Sequence, residues 1–426
     1  MFKFVFQTKN KINSIVHLLK TKLKLEYENE ISKKYQTFEF VSVKKIYKRT
    51  NKNSFLKKKN SWLPLFPDTK VKIEKPKFLY KDKNNRHFLL QKNSAYSLND
   101  LANKTLVTGS ILTNLENVKI INGTLLILIE KNLALVEGYG DLNWANFKLN
   151  KWPNAHHYPS ARIKYYKKPI INKKIKLYRA NDKIKKIKKG IYLSTRNDDQ
   201  VYHWIFDNLS RLYCIDKISK LKTYPLIIKN QLSKFQKRTL KLLGIKNKII
   251  YEKNYDIEVK KLIFPSIPSP PVLNKYTLNW LRNKFLLNIK KNNLFKKNNF
   301  PKKIFISRND SNHRKIINEN ELSEKLQKIG YKIINLSKLK VEHQILLFNN
   351  ADKIILPHGA AGIHLLFIKK NTKIFEIQSP DQLNNSLYLI SKNFGGNHKI
   401  AIGKDPVDDY KKNYFIDVDK IIKNIE

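Results

Sequence analysis

The stretch Lys353-Ile-Ile-Leu-Pro-His-Gly-Ala-Ala-Gly362 decides the fold, because an apolar run there ends in a turn that contains two glycines. Single helices are predicted over 319–329, over 341–350 and near 361–369 by the spacing of their apolar residues. Three similar apolar runs flank these helices: Lys303-Ile-Phe-Ile-Ser, Lys332-Ile-Ile-Asn and Lys373-Ile-Phe-Glu-Ile. Strands that alternate with single helices predict a parallel sheet wrapped by helices.

An alternation of the same kind precedes the proline-rich run 265–271, which is typical of a linker. Helices are expected near 199–214 and up to Gly244, and a hairpin at Asn122-Gly123. The strands expected there are Tyr192-Leu-Ser, Pro225-Leu-Ile-Ile, Lys248-Ile-Ile-Tyr and Lys261-Leu-Ile-Phe. The sequence therefore predicts an α/β fold of two Rossmann-like domains that face a cleft. The expected ranges are a Lys-rich, poorly packed N-terminal extension over 1–65, and domains over 66–270 and 271–426.

Targeting signals and disulfides are not evident in the sequence. No stretch comes near the roughly 20 uninterrupted apolar residues that a membrane-spanning helix needs. The apolar residues before Lys9 are too few for the core of a signal peptide. Cys214 is the single cysteine, which excludes an intrachain disulfide and favours a reducing, cytoplasmic compartment.

Charge is the most extreme property of the composition. The chain has 85 Lys and Arg against 34 Asp and Glu, a formal net charge of +51, but 75 of the cations are Lys and only 10 are Arg. Nucleic-acid readers use Arg for bidentate contacts that Lys cannot make. We interpret most of the excess as the effect of A/T-rich codons on a solvated surface, with selection for a polyanionic partner as the alternative. Clusters of otherwise rare residues, at 357–362 and at Arg308 and Arg314, then indicate specific constraints.

Ligands in open parallel sheets bind beyond the carboxyl ends of the strands. That rule selects four segments of the C-terminal domain: 307–308, 335–337, 357–362 and 376–379. The glycine turn can hold a phosphate on free N–H groups or simply pack its helix. Arg308 and Arg314 can bind a diphosphate or form a solvated pair, and Glu376 can accept ribose hydroxyls or bind nothing. Arg314, Asn318 and Glu319 can also organise the loop and cap the next helix.

A second candidate group lies on the helix predicted near 199–214. Helical spacing places His203, Asp207 and Arg211 at i, i+4 and i+8 on one face. His203 or Asp207 can take a proton from a hydroxyl group. An ordinary surface ion pair beside a surface arginine would show the same pattern, so both interpretations stay open.

Other chemistries are disfavoured by the sequence. His156, His157 and His343 lack the spacing of zinc ligands. The sequence has no G-x-S-x-G motif, and Cys214 has no obvious partner base. Asp417-Val-Asp419 has the form of a metal–diphosphate motif, but its position before an expected C-terminal helix favours capping.

Four motifs, in this order along the chain, resemble glycosyltransferase family 61. They are Tyr202-His-Trp-x-x-Asp207-Asn-Leu-x-Arg211, Ile306-Ser-Arg308-Asn-Asp310 with Arg314 and Asn318-Glu319, Glu342-His-Gln344-Ile-x-x-Phe348-x-x-Ala351, and Pro357-His-Gly-Ala360. The family contains bacterial capsular-polysaccharide enzymes, plant xylan and arabinoxylan glycosyltransferases, and eukaryotic protein O-GlcNAc transferases of the secretory pathway. The resemblance covers roughly residues 105–400.

The resemblance implies a GT-B-type, inverting transferase. It would move a sugar from a nucleotide sugar, most often a UDP-sugar, to a hydroxyl group of a glycan or lipid-linked glycan in surface polysaccharide biosynthesis. Asp207 is expected to be the base, oriented by His203 and Arg211, although which of His203 and Asp207 takes the proton stays open. Domain 66–270 would hold the acceptor and domain 271–426 the donor. The residues expected at the donor are Arg308, Arg314, His358, Gly359, Ala360 and Glu376, with Asn318 and Glu319 in support.

The same resemblance implies that these cations replace a metal, so no cofactor is expected, and a divalent metal is left open. A cytoplasmic location is expected, with surplus lysines in contact with the inner face of an anionic membrane. The alternative from another class is a basic protein that binds nucleic acid or an anionic surface on an α/β scaffold. Its affinity would fall steeply with salt.

Overall fold

The computed structural model describes residues 35–71, 74, 76–79, 105–107, 109–122, 125–130, 132–138, 170–171, 174–178, 183–195, 197–253, 255–267, 272, 274–292, 299–380, 383–406 and 412–425. The strands in these ranges are β1 (Tyr35–Val41), β2 (Lys48–Arg49), β3 (Ser61–Pro64), β4 (Thr69–Val71), β5 (Lys77–Phe78), β6 (Thr105–Val107), β7 (Ile111–Ile121), β8 (Leu126–Glu130), β9 (Leu133–Leu135), β10 (Ile170–Ile171), β11 (Lys174–Tyr178), β12 (Ile184–Tyr192), β13 (Leu226–Ile228), β14 (Ile249–Tyr251), β15 (Asp256–Pro265), β16 (Lys303–Ile306), β17 (Lys332–Ile334), β18 (Lys353–Pro357), β19 (Lys373–Gln378), β20 (Asn397–Ile402), β21 (Lys404–Pro406) and β22 (Tyr414–Phe415).

The α-helices are α1 (Val43–Ile46), α2 (Val201–His203), α3 (Tyr213–Lys217), α4 (Lys234–Leu242), α5 (Lys275–Lys291), α6 (Glu319–Lys328), α7 (Val341–Asn350), α8 (Ser386–Lys392) and α9 (Val418–Ile425). A π-helical segment, Trp204–Asn208, and a 3₁₀ segment, Leu209–Leu212, connect α2 to α3. Further 3₁₀ segments are Val136–Gly138, Ser219–Thr223, Leu336–Lys338 and Ala360–Phe367. None of the helices in the described ranges is long and apolar enough to cross a membrane.

The fold is mixed α/β, with one mixed sheet and one all-parallel sheet of six strands. The chain forms two compact units, each built from several segments. Unit 1 comprises 1–46, 116–188 and 252–261, and unit 2 comprises 47–115, 189–251 and 262–426. These units are defined by compactness and not by independent folding, so the predicted domains over 1–65, 66–270 and 271–426 stay a prediction.

Unit 1 contains the hairpin predicted from Asn-Gly. β7 and β8 are antiparallel, with Lys119 opposite Leu128, which confirms the pairing; Gly123 itself lies outside the described residues. The sheet continues from β8 through β9, β1 and β11 to β10. Residues 35–46, which the sequence suggested would pack poorly, instead form β1 and α1, with Phe38 and Phe40 buried. The reason is long-range pairing, because β1 lies between β9 and β11.

The six-stranded parallel sheet of unit 2 confirms the alternation predicted for the last third of the chain. Its order is β17-β16-β18-β19-β20-β5. Ile304 and Ile306 belong to one apolar cluster, whereas Phe305 between them belongs to another. Helix α7 contributes Phe348 to the first cluster, and α6 contributes Leu322 to the second. Since alternate strand residues point to opposite faces, helices cover both faces of this sheet.

Two α/β halves share unit 2. We call β12–β14 with α2–α4 the first half, and β16–β20 with α6–α8 the second half. One apolar cluster includes Leu240 of α4, Leu281 of α5 and Phe348 of α7. Arg238 of α4 also forms a bidentate pair with Glu342 of α7, with nitrogen–oxygen distances of 2.6 and 3.0 Å. The two halves are therefore packed together through a continuous core.

Candidate functional site

The loop after β16 is held by a buried carboxylate at the start of α6. Glu319 accepts a hydrogen bond from the Ser307 hydroxyl at 2.5 Å and from the Arg308 backbone N–H at 3.2 Å. Burial raises the pKa of Glu319, while these hydrogen bonds oppose that shift. Asn318 does not cap α6 as expected. Its side chain instead exchanges two hydrogen bonds with the backbone of Ile416, at 2.9 and 3.1 Å.

Arg308 and Arg314 are two neighbouring, half-buried cations on this loop. Arg308 Nε donates to the His313 carbonyl at 3.2 Å, and neither guanidinium forms an ion pair with a carboxylate among the described residues. Burial lowers the pKa of both, and the charge of Arg314 lowers that of Arg308 further. Arg314 also has a φ of 55°, which is uncommon for a side-chain-bearing residue. Two desolvated like charges destabilise the loop, and a bound anion would relieve that cost.

Gly359 lies directly against the Arg308 side chain. A Cβ at this position would overlap Arg308 Nη1 and lie 2.9 Å from Cζ. The backbone at Gly359 is extended, so the absence of a side chain serves close approach rather than an unusual conformation. The 3₁₀ segment Ala360–Phe367 begins at the next residue, and the first N–H groups of a helix lack partners within it. The guanidinium of Arg308 and these N–H donors therefore face the same turn.

Three neighbouring strands meet at one fully buried carboxylate. Glu376 on β19 contacts His358 Nδ1, at the end of β18, at 2.5 Å and His398 Nε2 on β20 at 2.9 Å. Gln378 Nε2 donates to the same carboxylate at 2.9 Å. His398 Nδ1 lies 2.8 Å from the Ser391 hydroxyl. With Nδ1 engaged by Glu376, the other ring nitrogen of His358 remains for a ligand.

The electrostatics of this cluster favour a charged glutamate. Burial alone would raise the pKa of Glu376, but the hydrogen bonds and charges of His358 and His398 lower it to about 2. The carboxylate is completely shielded from solvent and uses both oxygens on protein partners. Direct contact of Glu376 with a ribose stays a prediction, and the geometry favours a different role, which is to orient His358.

The first half of unit 2 positions the predicted acid–base pair. His203 Nδ1 and Asp207 Oδ2 are 2.6 Å apart, and both side chains remain partly exposed. The Tyr202 ring packs edge-on against the His203 ring, with centroids 5.3 Å apart. The i, i+4 pair expected from helical spacing is therefore present. Its exposed edge can accept a proton from a hydroxyl group.

Arg211 does not continue this exposed pair, contrary to the expected stripe. Its guanidinium is buried and donates to the carbonyls of Pro265, Leu193, Ser194 and Tyr192 at distances of 2.5 to 3.3 Å. The π segment Trp204–Asn208 and the 3₁₀ turn after it change the register from that of a regular α-helix. Burial lowers the pKa of Arg211 to about 10, so it stays charged. Arg211 therefore ties together the ends of β12 and β15.

The two candidate groups lie on elements that touch. Helix α2, which ends at His203, packs against Ala360–Phe367, which begins directly after His358 and Gly359. The core shared by the two halves holds this contact in place. The helix that carries His203 and the segment that follows Gly359 are therefore neighbours within unit 2.

Other predicted positions differ in what they do. Asn335 accepts a hydrogen bond from the Ser337 backbone at 3.1 Å, so it organises its own turn. Asp417 Oδ1 accepts from the Lys420 N–H at 3.0 Å, which confirms the capping interpretation. His156 and His157 lie outside the described residues, and within the described residues no three His, Cys, Asp or Glu side chains are arranged to hold a metal ion. His398 was missed, and the signal that could have found it is its alternation with the apolar Ile400 and Ile402 along the strand at 397–402.

Removal of the Arg211 side chain should destabilise the whole unit. Arg211→Met removes the guanidinium from four buried carbonyls, of which that of Leu193 keeps Asn208 Nδ2 as a donor, so the free energy of unfolding in urea should fall by about 3 kcal/mol or more. Lys220→Met, an exposed cation nearby in the chain, should change it by at most about 0.5 kcal/mol. A loss below about 1 kcal/mol in Arg211→Met would contradict this role.

Stability should depend on pH through Glu376. The pKa of Glu376 in the folded protein lies below the unfolded value of about 4.3. The stability that Glu376 contributes is therefore complete above about pH 4.3 and is lost as pH falls towards 2. Wild type should therefore be more stable than Glu376→Gln at pH 7, and the difference should narrow between about pH 4.5 and 2. Urea unfolding across that range measures it, with exposed Glu324→Gln as the control for loss of one negative charge. A difference in stability between wild type and Glu376→Gln that stays constant with pH would refute the assignment of a charged Glu376.

Comparison with known families identifies the part of the chain that contains these groups. The family model Glycosyltransferase 61 matches residues 201–375. A comparison with curated proteins found no match. The matched range begins at α2, includes Asp207, Arg308 and Gly359, and ends within β19, one residue before Glu376. Residues 201–375 are thus a glycosyltransferase family 61 domain, and the chain is a glycosyltransferase.

Proposed function

We propose that the enzyme is an inverting, GT-B-like transferase that moves a sugar from a nucleotide sugar, first of all a UDP-sugar, to a hydroxyl group of a glycan or lipid-linked glycan. Its expected setting is surface polysaccharide biosynthesis on the cytoplasmic side of a membrane. The observation that carries the proposal is the pair Arg308 and Arg314, half-buried and without a described carboxylate partner. The parallel strands of both halves of unit 2 support the GT-B assignment.

The donor diphosphate fits the second half of unit 2. Its negative charges would neutralise Arg308 and Arg314, whose burial and mutual repulsion the nearby Asp310 and Glu319 offset only in part. The N–H groups of Ala360 and Ala361 can donate to phosphate oxygens, as helix starts commonly do. His358, held by Glu376 through Nδ1, would donate from Nε2 as an imidazolium ion. These groups supply positive charge where the leaving diphosphate gains negative charge.

The acceptor fits the first half. Inversion is a single in-line displacement: the acceptor oxygen forms a bond to the anomeric carbon while the bond from that carbon to the diphosphate breaks. The hydroxyl proton passes to the His203–Asp207 pair, and the diphosphate leaves with the bonding electrons. We assign the base to Asp207, because in that arrangement His203 can orient the carboxylate through Nδ1. Transfer then depends on cations of the chain, and assays with and without EDTA test the metal requirement.

Asp207→Asn should separate chemistry from donor binding. Loss of the base should lower the transfer rate by about 10²- to 10⁴-fold, while the affinity for UDP changes little. Arg308→Ala should instead weaken UDP binding at least about tenfold. Nucleotide-sugar hydrolysis and transfer assays, together with calorimetric UDP titration, measure both variants. Equal loss of both properties in Asp207→Asn would refute the division of roles, and UDP affinity unchanged by Arg308→Ala would favour a basic binding protein.

Two glycines of the same turn provide a matched comparison. Gly359→Ala should displace the Arg308 guanidinium, which can move, so stability should be nearly unchanged while UDP affinity falls at least about tenfold. Gly362→Ala places its methyl group inside the Leu387 side chain in the core and should lower the free energy of unfolding by about 1–3 kcal/mol. Thermal unfolding and UDP titration of both variants test this. UDP affinity retained in Gly359→Ala would contradict the proposed diphosphate position.

A further inference from the structure

A second basic cavity lies in unit 2, at the end of α3. It has a volume of about 790 Å³ and is lined by nine residues. Four of these are cations, and no acidic residue lines it; the cations are Arg49, Lys52, Lys58 and Lys217. The chain as a whole, with 85 cations among 426 residues, would place only about two in a set of nine. The cavity is therefore more basic than the composition explains.

The wall of this cavity is fixed rather than loose. The Thr50 N–H donates to the Trp62 carbonyl at 2.8 Å, and the Arg49 guanidinium lies 5.9 Å from the centre of the Trp62 ring. Asn114 Nδ2 donates to the Lys58 carbonyl at 2.9 Å. These bonds anchor the backbone of segment 49–58 to β3 and β7 within unit 2, so the segment that carries three of the cations has a defined position.

The cations of the cavity have no described counterion. None of the four forms an ion pair with a carboxylate among the residues that the structure describes. Lys217 Nζ donates to the Pro64 carbonyl at 2.7 Å and is partly buried. Burial lowers the pKa of Lys217, and the charge of Lys52 lowers it further, so the amines are close enough to repel each other. An anion in the cavity would remove this repulsion.

The donors of the cavity suit one chemical group. Besides the cations, Thr50 and Ser54 contribute hydroxyl groups to the lining. A phosphate offers several oxygens to such a set of cationic and hydroxyl donors, whereas a carboxylate offers only two coplanar oxygens. We propose that this cavity is a binding site for a phosphate group, additional to the donor diphosphate. None of the nine lining residues belongs to the group proposed to hold the donor diphosphate, at Arg308, Arg314 and 358–361.

The test compares two triple variants, each of which removes three positive charges. The cavity variant Arg49→Gln, Lys52→Gln, Lys58→Gln removes three of the four cavity cations. The α4 variant Lys234→Gln, Lys237→Gln, Lys241→Gln removes three exposed cations of α4. Inorganic pyrophosphate is titrated calorimetrically into the full chain. The wild-type enzyme and the α4 variant should bind it at two places. In the cavity variant, pyrophosphate binding at one of the two places should be at least about tenfold weaker. Arg308→Ala should weaken binding at the other place instead.

The source of the phosphate is separated by a second measurement. Co-sedimentation uses phosphatidylcholine vesicles with and without phosphatidylglycerol. Binding to the anionic vesicles that is lost only in the cavity variant assigns the phosphate to a lipid headgroup. Unchanged vesicle binding, with pyrophosphate binding lost, assigns it to a soluble or glycan-linked phosphate. Pyrophosphate and vesicle binding equal to those of the α4 variant would overturn the proposal, whatever Arg308→Ala does to the donor site.

Discussion

One buried charge sets the edge of the parallel sheet on which the site is built. Glu376 has no contact with solvent, and a carboxylate in that position would be protonated or expelled without compensation. His358 and His398, from the strands on either side, supply that compensation. The same bonds fix the ring of His358 and leave its second nitrogen for a ligand. A constraint of stability and a constraint of function are thus met by the same three side chains.

Arginine serves opposite purposes in the two halves of unit 2. Arg211 is buried and fully used, because the carbonyls at the ends of β12 and β15 accept from its nitrogens. Arg308 and Arg314 are half-buried and largely unused, with one described hydrogen bond from Arg308 to a carbonyl. A satisfied guanidinium stabilises backbone, whereas an unsatisfied one has interaction energy left for an anion. The contrast in partners, rather than the residue type, separates scaffold from binding group.

Sequence predicted well what depends on local pattern. The strands of the second half followed from apolar runs bounded by turns, and the pair His203–Asp207 followed from helical spacing. The predictions that failed concerned residues whose structure depends on distant partners or on irregular backbone. Residues 35–46 fold because β1 pairs with strands about a hundred residues away in sequence. Arg211 was misplaced because a π segment shifts the register, and the bond of His398 to Glu376 joins neighbouring strands in a way that no single run reveals.

The net charge of +51 contains less information than the few arginines within it. Each of the described arginines has a definite environment: Arg49 beside Trp62, Arg211 on strand-end carbonyls, Arg238 on Glu342, Arg282 on the Leu366 carbonyl, and Arg308 and Arg314 on the loop after β16. Many lysines, by contrast, are exposed and interchangeable in their surroundings. In a chain whose composition favours Lys, an arginine persists where a planar, multidentate donor is required. The rare cation therefore indicates a specific interaction, within the protein or with a ligand, and the common one contributes to long-range attraction of anions that salt would screen.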